Sequence, residues 1–107
     1  MERYKTRTGV VLTCVCGEWL LVSASSLKDL CPFVTVVNES SAFLWKQLQS
    51  GADAEELECA VREEYEIEDP ETVRSVIEAF LRQMLEMNYL VTVEANEAGK
   101  ETGEAND

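Results

Sequence analysis

The residues of this 107-residue chain that could take part in chemistry are four cysteines and twenty-one carboxylates, with no histidine to join them. A metal or cluster site would need Cys14, Cys16, Cys31 and Cys59 to converge from three separate stretches, and no two are spaced Cys-x-x-Cys. Cys14-x-Cys16 on an alternating strand puts both thiols on one face, which suits small buried side chains, so four free and mostly buried thiols are expected. The carboxylates fall at helix starts and on polar faces rather than among apolar residues that would shift their pKa, and no glycine-rich phosphate loop is present. The sequence therefore predicts no enzyme, no cofactor and no metal site. The run Phe33-Val34-Thr35-Val36-Val37, β-branched after Phe33, reads as a strand that passes into a helix at Asn38, a junction that points to a peptide-binding module. β-Branched residues pack well on a pleated surface, and an exposed strand offers unpaired N–H and C=O groups in register to another chain.

Several elements must position that strand. Gly9 to Cys16 and Trp19 to Ser23, joined at Gly17-Glu18, have the form of a β-hairpin, and a loop from Ala24 to Pro32 leads to the third strand. Asn38 stops this strand, because its side-chain oxygen can accept from the N–H of Ser40 or Ser41 and so start a helix running to about Ser50, with Gly51 beyond it. Asp53 and Glu56 form a capping box for a second helix. In it Leu57, Ala60, Val61 and Tyr65 keep helical spacing, while Glu55, Glu56, Glu58, Glu63 and Glu64 are expected to face water. Asp69-Pro70-Glu71 opens a long third helix. Its apolar residues cover about half the circumference: Val73, Phe80 and Met84 at the centre are expected in the core, and Ile77, Leu81 and Leu85 on one flank suit either core or groove. Asn88 can end the helix in the left-handed conformation, followed by a short strand from Tyr89 to Val93. Trp19 and Trp45 are expected to pack in or beside the core. The expected fold is α+β: a three-stranded antiparallel sheet followed by three helices over residues 1–93, with a disordered acidic tail at 94–107.

The formal net charge is −12 and unevenly spread. Residues 1–30 carry four basic and three acidic groups, whereas residues 31–107 carry five basic and eighteen acidic. Nucleic-acid binding rests on cation–phosphate contacts, so no nucleic-acid partner is expected. The chain has no long apolar run and no apolar segment near Met1, so no membrane partner and a cytoplasmic location are expected.

With the elements in this order, the chain resembles the pyrroloquinoline quinone biosynthesis protein D family, the recognition element for precursor peptides in many peptide-modifying pathways. The resemblance spans roughly Gly9 to Val91. It rests on the hairpin, on Val37-Asn38-Glu39-Ser40-Ser41-Ala42-Phe43-Leu44-Trp45, on Ala54-Glu55-Glu56-Leu57 leading to Glu63-Glu64-Tyr65, and on Phe80-Leu81-x-x-Met84-Leu85-x-x-Asn88-Tyr89-Leu90. Three positions depart from the family pattern: Val37 stands where Leu is usual, Ser41 where Gly is common, and Asn88 where Gly usually follows the last helix.

The resemblance implies a winged-helix-like, non-catalytic domain that binds the leader of a ribosomally made precursor and presents it to a modifying enzyme, often a radical S-adenosylmethionine enzyme. It implies a leader added as a strand beside Phe33, Val34, Thr35, Val36 and Val37, with side chains entering a cleft against Ile77, Leu81 and Leu85. Plain core packing is the alternative for Val34 and Val36. Two other functions fit the same elements: a scaffold for another protein, and a winged-helix transcription regulator, which the charge opposes. A free strand edge also allows either a monomer or a weak homodimer.

Overall fold

The computed structural model describes residues 2–94. In chain order the elements are β1 (Glu2–Thr6), β2 (Val10–Val15), β3 (Glu18–Ser23), a single 3-10 turn (Ser25–Leu27), β4 (Val34–Val37), α1 (Glu39–Leu48), β5 (Ala52–Asp53), α2 (Ala54–Tyr65), α3 (Pro70–Glu86) and β6 (Leu90–Glu94). They form two antiparallel three-stranded sheets, ordered β5-β1-β6 and β2-β3-β4, with the three helices. The α+β class with β2, β3 and β4 ahead of the helices is as expected. The first sheet is an addition, since β1 (Glu-Arg-Tyr-Lys-Thr) has only Tyr4 as an apolar residue and acquires strand structure by pairing with β6, from Arg3 opposite Val93 to Thr6 opposite Leu90. Of the acidic tail expected from residue 94 onward, Glu94 closes β6 and the remainder lies outside the described residues.

Cys16 and Gly17 both have positive φ, 52° and 82°, and make the two-residue turn whose twist matches that of the flanking strands β2 and β3. Cys16 is thus part of the turn and not of the strand. The expectation of mostly buried thiols is also corrected: Cys14, Cys16 and Cys59 are exposed and only Cys31 is buried. At the other end of β2, Gly9 (φ 98°) passes so close to Leu27 that a Cβ there would lie 3.1 Å from its Cδ1.

The helices start at the residues expected to cap them. The Asn38 side chain accepts from Ser41 N at 2.8 Å, Asp53 and Glu56 form the reciprocal capping box, and Asp69 accepts from Glu71 N and Thr72 Oγ1. α1 ends at Leu48, two residues short of expectation. Glu58 is a second correction: it is buried rather than solvated, with Arg74 at 3.5 Å and Arg62 at 3.8 Å holding its carboxylate. Arg3 fastens β1 to the start of α2 by donating to Gly51 O at 3.0 Å and Glu56 Oε1 at 3.1 Å.

One core joins the inner face of β2-β3-β4 to the helices through Leu21, Trp45, Leu57, Val73, Ile77 and Met84. Trp45 meets Tyr89 edge to face, with ring centroids 6.3 Å apart. Trp19 lies on the rim, with the Lys46 ammonium 4.7 Å above its ring.

Candidate peptide-binding edge

β4 is an edge strand, and its hydrogen-bond parity decides what it can offer. Ser23 N donates to Phe33 O at 2.9 Å, and the register continues with Leu21 opposite Thr35 and Trp19 opposite Val37. In an antiparallel pair, residues that exchange bonds alternate with residues that do not. The backbone groups of Phe33, Thr35 and Val37 are therefore turned toward β3, and those of Val34 and Val36 face the open edge. Phe33, Val34 and Val36 are 66%, 44% and 62% exposed, so core packing is not the role of the two valines.

Thr35 and Val37 turn their side chains inward and are partly buried. Thr35 Oγ1 lies 2.7 Å from Tyr89 Oη and 4.0 Å from Met87 Sδ. Tyr89 Oη donates to Pro32 O at 2.9 Å, which uses the single phenolic hydrogen and leaves the Thr35 hydroxyl as donor to Tyr89. Burial pushes the Tyr89 phenol above its ordinary value of 10.0; the Thr35 hydrogen bond pulls the other way, and nearby Cys31 adds to the rise. Cys31 and Asn88 complete the seam, since the Cys31 thiol donates to Asn88 O at 3.2 Å and the Asn88 amide donates to Leu30 O at 2.8 Å. Asn88 holds the expected left-handed conformation, φ 63°.

Met87 marks the flank of α3 that faces β4. Residues three or four apart stack on one side of a helix, so Gln83, Phe80 and Val76 continue that flank at one, two and three turns before Met87. Phe80 is buried, whereas Gln83 is exposed and Val76 is 44% exposed, an apolar side chain left in the open on the same side of the helix as Met87. Ile77 has no exposed surface and belongs to the core. Leu81 and Leu85 lie about 100° to 160° around the helix from Phe80 and Met87, and there they form a groove of about 460 Å³ with Tyr4 of β1 and with Glu78, Arg82 and Glu86. The structure thus brings Phe33 to Val37 together on one edge and places Leu81 and Leu85 against the other sheet. Periodicity reveals the width of an apolar stripe but not which flank meets which strand, so Val76, Gln83 and Met87 could not be singled out from spacing alone.

Among the described residues no three His, Cys, Asp or Glu side chains are grouped so as to hold a metal ion, and no helix is long and apolar enough to cross a membrane. The groups on display at β4 are amide donors and acceptors beside apolar side chains, the kind of surface to which an extended chain can add as a strand.

No curated protein matches the chain. Among solved structures it is similar to one described as TbiB1 in complex with the TbiA(beta) leader peptide, with a TM-score of 0.64 and 23% identity over 80% of this chain and 93% of that one. At that identity the likeness concerns the fold, which is shared over nearly the whole of TbiB1. The family model described as coenzyme PQQ synthesis protein D (PqqD) matches residues 19–90, from β3 to the first residue of β6, and so takes in β4, all three helices and the seam between them. The chain belongs to the PqqD family.

Proposed function

We propose that this protein is a non-catalytic adaptor that binds the leader of a ribosomally made precursor peptide and presents it, in the cytoplasm, to a modifying enzyme of the radical S-adenosylmethionine type. The open edge of β4 carries the proposal: Val34 and Val36 aim their N–H and C=O groups outward, beside exposed Phe33 and with Met87 at the end of α3 against Thr35. Family membership and the leader peptide bound to TbiB1 support the same reading. A leader strand pairs with Val34 and Val36, and its alternate side chains fall between β4 and α3. Backbone pairing supplies affinity, and the helix flank supplies selectivity.

β2 is the other edge of the sheet. Val15 and Glu18 flank the two-residue turn and pair with each other, so Val10, Leu12 and Cys14 are the β2 residues whose backbone faces outward, with the Val10 N–H already bonded to Arg7 O. Met87, at the end of α3, stands beside β4, and its Sδ lies 4.0 Å from Thr35 Oγ1, which favours that edge.

The test is an NMR amide titration with short peptides encoded beside the gene. Saturable shifts confined to residues 33–37 and to Val76, Gln83 and Met87 are expected. Shifts on β2, shifts confined to Tyr4, Leu81 and Leu85, or no shifts with any candidate peptide would overturn the proposed edge.

A further inference from the structure

We infer that the groove between β1 and α3 is a docking site for an amphipathic helix of the modifying enzyme, one whose apolar stripe is flanked by basic side chains. Buried Leu81 and half-buried Leu85 and Tyr4 line the groove, with exposed Glu78, Arg82 and Glu86. The backbone around it decides the form of the occupant. β1 is the middle strand of its sheet, and at Tyr4 it is paired on both sides, with Ala52 and with Thr92. α3 bonds its own amides within the helix. The groove therefore offers no free N–H or C=O to an extended peptide, and an occupant must bring a backbone whose polar groups are already bonded to each other. A helix does, and it can lay an apolar stripe into such a groove.

Charge defines the helix. Glu78, Arg82 and Glu86 follow one another at single turns, so carboxylate, guanidinium and carboxylate alternate along about 12 Å of α3 beside the leucines. A spacing of four would let Arg82 pair with either neighbour, yet the ion pairs among the described residues use Arg3, Arg62 and Arg74 and none of these three side chains. All three are left to a partner. Glu2 adds another carboxylate by accepting from the Tyr4 hydroxyl at 3.3 Å, so Glu2, Glu78 and Glu86 stand against Arg82 alone. The complement is a helix with Lys or Arg, then Asp or Glu, then Lys or Arg at one-turn intervals beside its apolar stripe, as flanking charges select partners in coiled coils. The net charge of −12 draws such a basic segment toward the chain. This assignment rests on the adaptor reading, since presenting a leader requires contact with the enzyme on a surface that the leader leaves free. Leu81 and Leu85 meet that condition: their groove borders β1 of one sheet, while the leader pairs with β4 of the other.

The experiment is isothermal titration calorimetry of the full chain, with leader peptide present, against the purified modifying enzyme encoded beside the gene, in low and in high salt. Circular dichroism checks folding, and fluorescence anisotropy with a labelled leader reads the β4 edge separately. Wild-type affinity for the enzyme is expected to fall as salt rises. Leu85→Asp, and Glu78→Lys combined with Glu86→Lys at two exposed positions, are each expected to weaken it at least tenfold with leader affinity unchanged. The double substitution is also expected to flatten the salt dependence. Folded variants that bind the enzyme as the wild type does would overturn the inference. So would a parallel loss of leader affinity, which would make the groove part of the leader site. A wild-type chain that binds the leader but not the enzyme would overturn it too, with the peptide edge intact, whereas a chain that binds no leader would refute the adaptor reading itself.

Discussion

Replacing Val36 with proline separates the open edge of β4 from the ladder that holds it in the sheet. The Val36 N–H faces away from β3, so the substitution removes a donor that no residue of the sheet uses, at a position where edge strands tolerate proline. Folding should cost less than about 1 kcal/mol, a fall in melting temperature of under about 8 °C. Binding should suffer more. One inter-strand hydrogen bond is lost, at about 1 kcal/mol, and the leader carbonyl that would have accepted it is left against the pyrrolidine ring, at about 1–2 kcal/mol more. Together these give about 2–3 kcal/mol, or roughly 30- to 150-fold weaker binding. Two controls bracket the result. Thr35→Pro removes an inward donor and the hydroxyl held by Tyr89, so it should destabilise the fold by about 2–4 kcal/mol. Cys14→Pro makes the equivalent outward change on β2 and should leave affinity unaltered. The assay is fluorescence anisotropy with a labelled leader peptide, beside thermal melts of each variant. A folded Val36→Pro protein with unchanged affinity would refute strand addition at β4, and an unfolded one would refute the assigned parity.

The remaining expectations concern the helix flank, the added strand and alkaline pH. Val76→Asp should weaken leader binding by about 1–2 kcal/mol with little effect on the melt, whereas Leu85→Asp should leave affinity unchanged, both read by the same anisotropy assay. Arg3→Ala removes donors to Gly51 O and to Glu56, whose side chain is 55% exposed, so it should cost only about 1 kcal/mol of stability in urea titrations without altering affinity. Burial raises the pKa of Tyr89 in the folded state, so the stability tied to its neutral phenol is fully present below the unfolded value of 10.0 and declines as pH rises past it. Tyr4 and Tyr65 are raised in the same direction, so Tyr89→Phe should flatten only part of that decline, measured as urea midpoints from about pH 8 to pH 11.

Local signals in the sequence were reliable where the physics is local. Asn38, Asp53 and Asp69 cap helices because a side-chain oxygen two or three residues away is the nearest partner for a free N–H, and that relation is visible in the spacing. The central stripe of α3 was equally legible, and Val73, Phe80 and Met84 are buried as expected. The unreadable features depend on distant parts of the chain. β1 has too little apolar character to declare itself and is a strand because Arg3 meets Val93 and Lys5 meets Val91 across the chain. Glu58 reads as one more solvated carboxylate in an acidic helix until Arg74 of α3 closes over it. β-Branching shows residues 33–37 to be a strand, whereas their place in a peptide site rests on the family resemblance. Which flank of α3 faces them follows from how the helix docks on two sheets at once, and no single-helix pattern encodes that.

The pairing of β1 with β6 has a further consequence, for how this unit can be joined to others. Glu2 stands opposite Glu94, so the described chain enters and leaves side by side, separated by about one strand spacing of 4.8 Å. A unit built this way can be spliced into a surface loop of a larger polypeptide without prying the loop ends apart. The two ends belong to β5-β1-β6, while the peptide-facing edge belongs to the other sheet, so such a graft would leave β4 uncovered.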